Sequence, residues 1–165
     1  MKLNKYGFRK KLFPSSFKQD IEVTCIISSG MCVRKSTVDF VGYMKKQLFI
    51  DYVDTEWCLR AIQKKCRIFV TPKVKMLHEI GNENIKVWKY RIPIHGPLRR
   101  YYRVRNSFYL LRYPHVQKLM AVREILFSLC HQFILILICK ERGLYFKVMI
   151  NAIVDGVKSM FNNID

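Results

Sequence analysis

The pattern of apolar and polar positions divides the chain into a mixed first part and an all-helical last part. The stretch "IEVTCIIS", from Ile21, is rich in β-branched residues and predicts a buried strand that ends near Ser29-Gly30. The stretch "CRIFVTP" predicts a second strand, which Pro72 closes. Between them, apolar residues recur at helical spacing from Asp54 to about Lys65. The first part is therefore predicted to contain strand, helix and strand, in that order.

Apolar residues keep the helical period over the last third of the chain. The stretch "RRYYRVRNSFYLLRY", from Arg99, predicts a helix that stops at Pro114. Two further helices are predicted over about 116–140 and 142–161. The first twenty residues carry Pro14, serines and basic charge, so we expect a loop or a frayed end there. Three segments result: a basic N-terminal segment (1–20), a mixed region (21–98) and a C-terminal helical region (99–165).

The charge balance narrows the class of partner. The 165 residues include 30 Lys and Arg against 12 Asp and Glu, a formal net charge of +18. This excess indicates an anionic partner, which could be nucleic acid, an anionic membrane surface or a phosphorylated substrate. Yet "FIDYVDTEWCLR", at 49–60, holds three carboxylates within six residues. A helix start would explain them, because acidic side chains suit the positive end of the helix dipole. A catalytic site is the alternative.

The cysteines and the N-terminal sequence indicate the cellular compartment in which the protein is expected. The six cysteines form no C-x-x-C pair and have no adjacent His at a zinc spacing, so we expect reduced, mostly buried thiols. The basic N-terminus lacks the apolar core of a signal peptide, and no export is predicted. The expected location is therefore the cytoplasm, with peripheral association at the inner face of the plasma membrane left open.

The first of the two tail helices has an amphipathic pattern. His131 and Gln132 interrupt its apolar run, so it is not expected to span a bilayer. The apolar residues that share one face of it are Leu119, Val122, Leu126, Leu129, Phe133 and Ile136. The polar residues that lie largely opposite are Arg123, Glu124, Ser128 and Gln132. This pattern is typical of a helix at a membrane surface, although the apolar face could equally pack on the preceding region.

Four blocks in order carry a resemblance to a known family: "ISSGMCVRKSTVDFVGY", "FIDYVDTEWCLRA", "RIFVTPKVKMLHEIGN" and "RRYYRVRN". Together they resemble the C-terminal half of a family 2 glycosyltransferase of the bacterial rhamnosyltransferase-like branch, over about residues 21–112. The resemblance implies an α/β class, namely the C-terminal part of a GT-A (nucleotide-diphospho-sugar transferase) fold followed by a helical tail. Region 21–98 would then be the acceptor half of the catalytic domain.

The resemblance also implies a reaction and its partners. The enzyme would move a sugar from a nucleotide-sugar donor, dTDP-rhamnose or a UDP-sugar, to a growing cell-surface polysaccharide of the O-antigen kind or to a lipid-linked glycan. Asp54 matches the general base, which takes the proton from the acceptor hydroxyl. His78 matches the position that completes the shell of a divalent metal, Mn²⁺ or Mg²⁺, and imidazole suits Mn²⁺ better.

Other residues match positions that bind acceptor or substrate. They are Ser29, Gly30, Glu56, Trp57, Arg60, Arg99 and Arg105. Arg60 would brace the acidic motif or meet phosphate, and Trp57 would pack under the motif. Some of these positions also have a purely structural explanation, namely a strand-end turn for Ser29-Gly30 and a solvated helix face for Arg99 and Arg105.

Such enzymes bind the nucleotide with an N-terminal βαβ half that ends in a D-x-D metal motif, and no such half precedes Ile21. The sequence "DTE" at 54–56 is predicted to open a helix instead of ending a strand, which disfavours it as a replacement. We therefore expect a partial enzyme that is inactive by itself and that binds metal only when complete.

Two other function classes remain open. The first is a non-catalytic remnant that binds a membrane or a partner transferase. The second is nucleic-acid binding through "RIPIHGPLRRYYRVRNSFYLLR". The aromatic residues of that stretch recur at helical spacing and are typical of a core, so no nucleic-acid partner is predicted.

Overall fold

The structure is a computed structural model that describes residues 1–4, 7–13, 16–74, 76, 83–87 and 90–161, with the backbone alone for 83–87 and 90–94. In chain order its elements are β1 (Lys2–Leu3), β2 (Arg9–Lys10), β3 (Ile21–Val23), α1 (Lys35–Val41), α2 (Val53–Gln63), β4 (Ile68–Val70), β5 (Glu83–Val87), β6 (Tyr90–Ile94), α3 (Pro97–Tyr109), α4 (Lys118–Ile138) and α5 (Arg142–Phe161). The predicted mixture of helix and strand is confirmed. The segment predicted to carry His78 lies outside the described residues.

The region before α3 is built on short antiparallel pairs and one buried helix. Strand β3 pairs with β4, with Ile21 opposite Val70. Strand β5 pairs with β6, with Ile85 opposite Ile92. Strand β3 is shorter than predicted, although the chain does turn at Ser29 and Gly30.

Helix α2 buries one side in the core of this region. Its buried apolar side chains are Trp57, Cys58, Leu59 and Ala61. They pack with Val23 of β3, Leu48, and Tyr113 and Met120 from the C-terminal region. Because this core draws on both parts of the chain, it fixes the start of α2 against α3 and α4.

Two short strands within the first ten residues form a hairpin, so the expected loop or frayed end is wrong for that part of the N-terminal segment. Strands β1 and β2 pair, and the Asn4 side chain accepts a hydrogen bond from the Phe8 N–H at 2.9 Å. Gly7 adopts φ 79° in the connecting turn, and a Cβ there would lie 2.6 Å from the Met120 Cβ. The hairpin is thus held by close packing on α4, a contact that local composition does not reveal.

The C-terminal helices follow the predicted order and bounds to within a few residues. Helix α3 begins at Pro97, and a 3₁₀ turn at Leu110–Arg112 follows it. Helix α3 packs on both α4 and α5, and at Gly156 a Cβ would lie 2.9 Å from the Phe108 ring. Within the described residues, α4 is long and apolar enough to cross a membrane, at a mean hydropathy of 1.8.

Candidate active site

A cavity of about 1120 Å³ opens beside the start of α2. Its wall includes Ser29 and Gly30 from the turn after β3, Asp54 from α2 and Arg99 from α3. These four were all predicted as site residues from the sequence. The fold therefore brings nearly half of the predicted set to one cavity, although the segments that carry them are far apart in the chain.

The Asp54 carboxylate is fixed by backbone donors at the cavity wall. Its Oδ1 accepts a hydrogen bond from the Thr55 N–H at 2.8 Å, and its Oδ2 accepts one from the Ser28 N–H at 3.3 Å. The second bond ties the helix start to the turn in which Gly30 adopts φ 75°. Glycine suits that backbone conformation because it has no Cβ. The half-buried carboxylate keeps lone pairs available for a proton from a bound hydroxyl.

Asp51 holds two arginines against the same cavity. Its Oδ2 accepts from Arg99 Nε at 3.2 Å, and its Oδ1 accepts from Arg103 Nη1 at 3.1 Å. The Arg103 guanidinium also lies over the Tyr52 ring, 4.7 Å from its centroid. Sequence reasoning identified Arg99 but missed Asp51 and Arg103. Arg99 and Arg103 are four positions apart, which places both on one helix face. This spacing was the signal in the sequence that could have identified Arg103.

The loop that carries Asp51 has a strained backbone. Phe49, Asp51 and Tyr52 adopt φ of 55°, 60° and 60°, a region that residues with side chains enter at a cost of about 1–3 kcal/mol each. The Asn106 side chain, fully buried on α3, donates to the Leu48 carbonyl at 2.6 Å and to the Ile50 carbonyl at 2.8 Å. These bonds hold the loop in its strained form.

Glu56 is buried away from the cavity. Its two oxygens accept from Arg60 Nε at 2.9 Å and Arg60 Nη2 at 3.1 Å, and His115 Nε2 lies 2.9 Å from Oε1. Burial by itself would raise the pKa of Glu56, but His115 and Arg60 together outweigh it, so that pKa lies below its ordinary value. Glu56, which was expected to contact an acceptor, is thus paired with Arg60 and His115 and does not line the cavity. Because one member of "DTE" is buried in an ion pair, the sequence does not form a metal-binding D-x-D in this structure.

Three more predicted residues lie outside the cavity wall. Arg60 braces the motif, since it also donates to the Val41 and Tyr43 carbonyls. Trp57 is buried beneath the motif and donates from Nε1 to the Gly42 carbonyl at 2.8 Å. Arg105 donates to the Gln47 carbonyl and to Asn106, and stacks on Tyr102 and Tyr109. In this structure Arg105 does not line the cavity.

The described residues of the cavity do not by themselves provide the donor set of a metal ion. Among the described residues, no three His, Cys, Asp or Glu side chains are close enough together to hold one. Asp51 is engaged by two arginines, and His78 lies outside the described residues. Hard divalent ions need several oxygen ligands, so we assign no step to a metal. The cavity wall is cationic instead, since Arg9 and Lys11 of the hairpin segment also line it.

Comparison with known proteins identifies the chain's relationship. Over 158 residues it is 42% identical to the dTDP-rhamnosyl transferase RfbF of Shigella flexneri. This chain is homologous to a rhamnosyl transferase. The aligned part is 96% of this chain and 53% of RfbF, so the chain spans about half the length of that curated relative.

The resemblance to rhamnosyltransferases stated from the sequence is thereby confirmed. No protein-family profile matches the chain. No solved structure matches it either, so the relationship rests on the likeness to RfbF.

Proposed function

We propose that the chain forms the acceptor side of a rhamnosyl transferase with a GT-A fold, and that Asp54 is its general base. The observation that carries the proposal is the Asp54 carboxylate fixed at the cavity wall, in a chain 42% identical to a dTDP-rhamnosyl transferase over 158 residues. The donor would be dTDP-rhamnose, and the acceptor a hydroxyl of a growing surface glycan or a lipid-linked glycan.

The proposed step needs one proton acceptor. As the acceptor oxygen bonds to the anomeric carbon of rhamnose, its proton passes to Asp54. The bond from that carbon to the dTDP oxygen breaks, and its electron pair leaves with dTDP. The backbone donors from Ser28 and Thr55 keep the carboxylate in one orientation, which matters because a misplaced base loses much of its effect.

The leaving diphosphate is anionic, and the arginines of the cavity wall suit it. Arg99 and Arg103 share the single carboxylate of Asp51, which leaves one positive charge in excess. Guanidinium groups bind phosphate oxygens through paired hydrogen bonds. Since both are held by Asp51 before any ligand arrives, they need little rearrangement to stabilise charge that develops on the diphosphate.

A hybrid enzyme tests the proposal. The matched part of RfbF is replaced by this chain, and rhamnose transfer from dTDP-rhamnose to a lipid-linked acceptor is measured. Asp54→Asn in the hybrid keeps the shape of the side chain but removes its basicity, so transfer should fall by about 10² to 10⁴. Asp39→Asn is the matched control, because Asp39 is exposed on α1, where it pairs with Lys35 at 3.4 Å. A folded hybrid in which Asp54→Asn leaves the rate of transfer unchanged would contradict the assignment.

A further inference from the structure

Helix α4 buries several polar side chains and leaves several of its apolar side chains exposed. Its polar Glu124, Ser128 and Gln132 are buried, whereas Leu126 and Phe133 are each 58% exposed. Further exposed apolar residues include Leu119, Phe127 and Leu137 on α4 and Phe146, Ile150 and Phe161 on α5. Within the described residues, most of the predicted apolar face of α4 therefore does not pack on the preceding region. We call these exposed residues the outer face.

Hydrogen bonds fix α4 in this orientation. Glu124 accepts from the Tyr52 hydroxyl at 3.2 Å and pairs with Arg9 at 2.9 Å. The Gln132 carbonyl accepts from Arg100 Nε at 2.7 Å, and its amide donates to the Tyr145 carbonyl at 2.8 Å. Rotating α4 to bury its apolar face would leave these buried groups without partners, at about 1–3 kcal/mol each. These hydrogen bonds therefore keep the outer face exposed at the surface.

Exposed apolar area on this scale marks a binding surface, and charge indicates its partner. Exposed basic residues stand along the two helices and at their ends, namely Lys118, Lys140, Arg142, Lys147 and Lys158. Lysine and arginine beside apolar side chains suit anionic lipid headgroups, which attract basic segments by about 1 kcal/mol per charge. A second copy of the chain would bring +18 against +18 and be repelled.

Helix α4 suits a position along a membrane surface better than a crossing of the bilayer. Its length and composition would allow a span. However, its inner face is bonded to Tyr52 and Arg100, so a spanning α4 would carry those residues and the adjoining cavity into hydrocarbon. Charged and polar groups are costly there. A helix with one apolar face and basic flanks lies in the interface plane with that face buried.

From these observations we propose that the outer face of α4 and α5 inserts into one leaflet of an anionic membrane. The proposal does not depend on sugar transfer. Its consequence for the proposed function is that the cavity would be held near a lipid-linked acceptor.

Vesicle flotation tests the insertion directly. The purified chain should float with vesicles of phosphatidylglycerol and phosphatidylethanolamine, and less with neutral phosphatidylcholine vesicles. Leu126→Gln with Phe133→Gln should lower the partition coefficient at least about tenfold, because two inserted apolar side chains are lost. Phe13→Gln with Phe40→Gln is the matched control, since these side chains are 58% and 59% exposed outside the tail. Equal loss in both double variants, or no flotation at low salt, would overturn the proposal.

A fluorescent label reports the depth of insertion and the competing outcome. Cys130 is exposed on α4, and the environment-sensitive dye NBD can be attached to it after Cys32, Cys66 and Cys139 are changed to serine. Anionic vesicles should shift the NBD emission to the blue, and lipids brominated near the headgroup should quench it more than lipids brominated near the chain end. Stronger quenching from the chain end would indicate a spanning helix and overturn the surface assignment. Light scattering that shows a dimer, broken by Phe133→Gln, would assign the outer face to self-association instead.

Discussion

Asp51 and Arg103 form an ion pair of 3.1 Å although 52 residues separate them in the chain. The pair joins the strained loop before α2 to the middle of α3, and the same carboxylate also accepts from Arg99. The Asp51 side chain is only 7% exposed. Asp51 thus positions the guanidinium groups of Arg99 and Arg103 at the cavity wall.

Removing the Asp51 charge should release both arginines. In the hybrid transferase, we expect Asp51→Asn to raise KM for dTDP-rhamnose about tenfold or more with a smaller change in kcat, because misplaced guanidinium groups bind the diphosphate less well. Unfolding in urea should show a loss of about 1–3 kcal/mol. The exposed pair Asp39–Lys35 is the control, and Asp39→Asn should cost less than about 0.5 kcal/mol. Loss of stability with an unchanged KM would reduce Asp51 to a structural role.

Asn106 should be essential for the loop that it holds. Asn106→Asp keeps the shape but loses the amide donors, so the buried carbonyls of Leu48 and Ile50 would face a carboxylate. We expect a loss of at least about 2–3 kcal/mol in the free energy of unfolding. The exposed Asn151 of α5 provides the control, since Asn151→Asp should change that free energy by about 0.5 kcal/mol or less. Equal urea midpoints for the two variants would show that Asn106 does not carry the loop.

Acid should destabilise the fold through Glu56. Its pKa is lower in the folded chain than the ordinary value, so its stabilising contribution is complete above about pH 5 and is lost as pH falls through the lowered pKa. The free energy of unfolding should therefore decrease as pH falls below about 4.5. Glu56→Gln should cost about 3–5 kcal/mol at pH 7 and flatten this dependence. Glu141→Gln, at an exposed position, should leave the pH profile unchanged. A parallel profile in Glu56→Gln would contradict the role of this carboxyl.

The α3–α5 contact should tolerate no side chain at Gly156. A Cβ there would meet the Phe108 ring at 2.9 Å, and we expect Gly156→Ala to cost about 1–3 kcal/mol. Gly143→Ala is the matched control, because among the described residues no atom beyond its chain neighbours and its own helix backbone lies within 4 Å of the added Cβ. Since alanine favours a helix over glycine, Gly143→Ala should be neutral or stabilise by up to about 1 kcal/mol. An equal change in thermal stability in the two variants would show that the helices can move apart at Gly156 without a loss of stability.

The helices were predictable because their apolar residues repeat locally. Helix α2 was expected over 54–65 and is found at Val53–Gln63, and α4 and α5 also match. The hairpin was missed because its stability depends on Gly7 packing against Met120. Periodicity also separates the two faces of α4 but cannot say which one points inward. That choice depends on partners such as Tyr52 and Arg100, which lie far away in the sequence.

The sequence could indicate which residues line the cavity where their position depends on their own motif. Asp54 and Arg99 line the cavity, as do Ser29 and Gly30. The burial of Glu56 could not be predicted from its motif, because it depends on a contact with His115, which is 59 positions further along the chain. Such a partner becomes visible only when the fold brings the two segments together.

The hydrogen bond from Tyr52 to Glu124 bears on the order in which the chain folds. It links positions 72 residues apart, and the bond from Arg123 to the Gly7 carbonyl links positions 116 apart. On a ribosome, where the chain emerges from its N-terminus, neither bond can form until α4 has been synthesised. The hairpin and the strained loop therefore lack these hydrogen-bond partners until α4 has been synthesised. An early arrest of translation would yield a product with the acidic motif but without the contacts that shape its cavity.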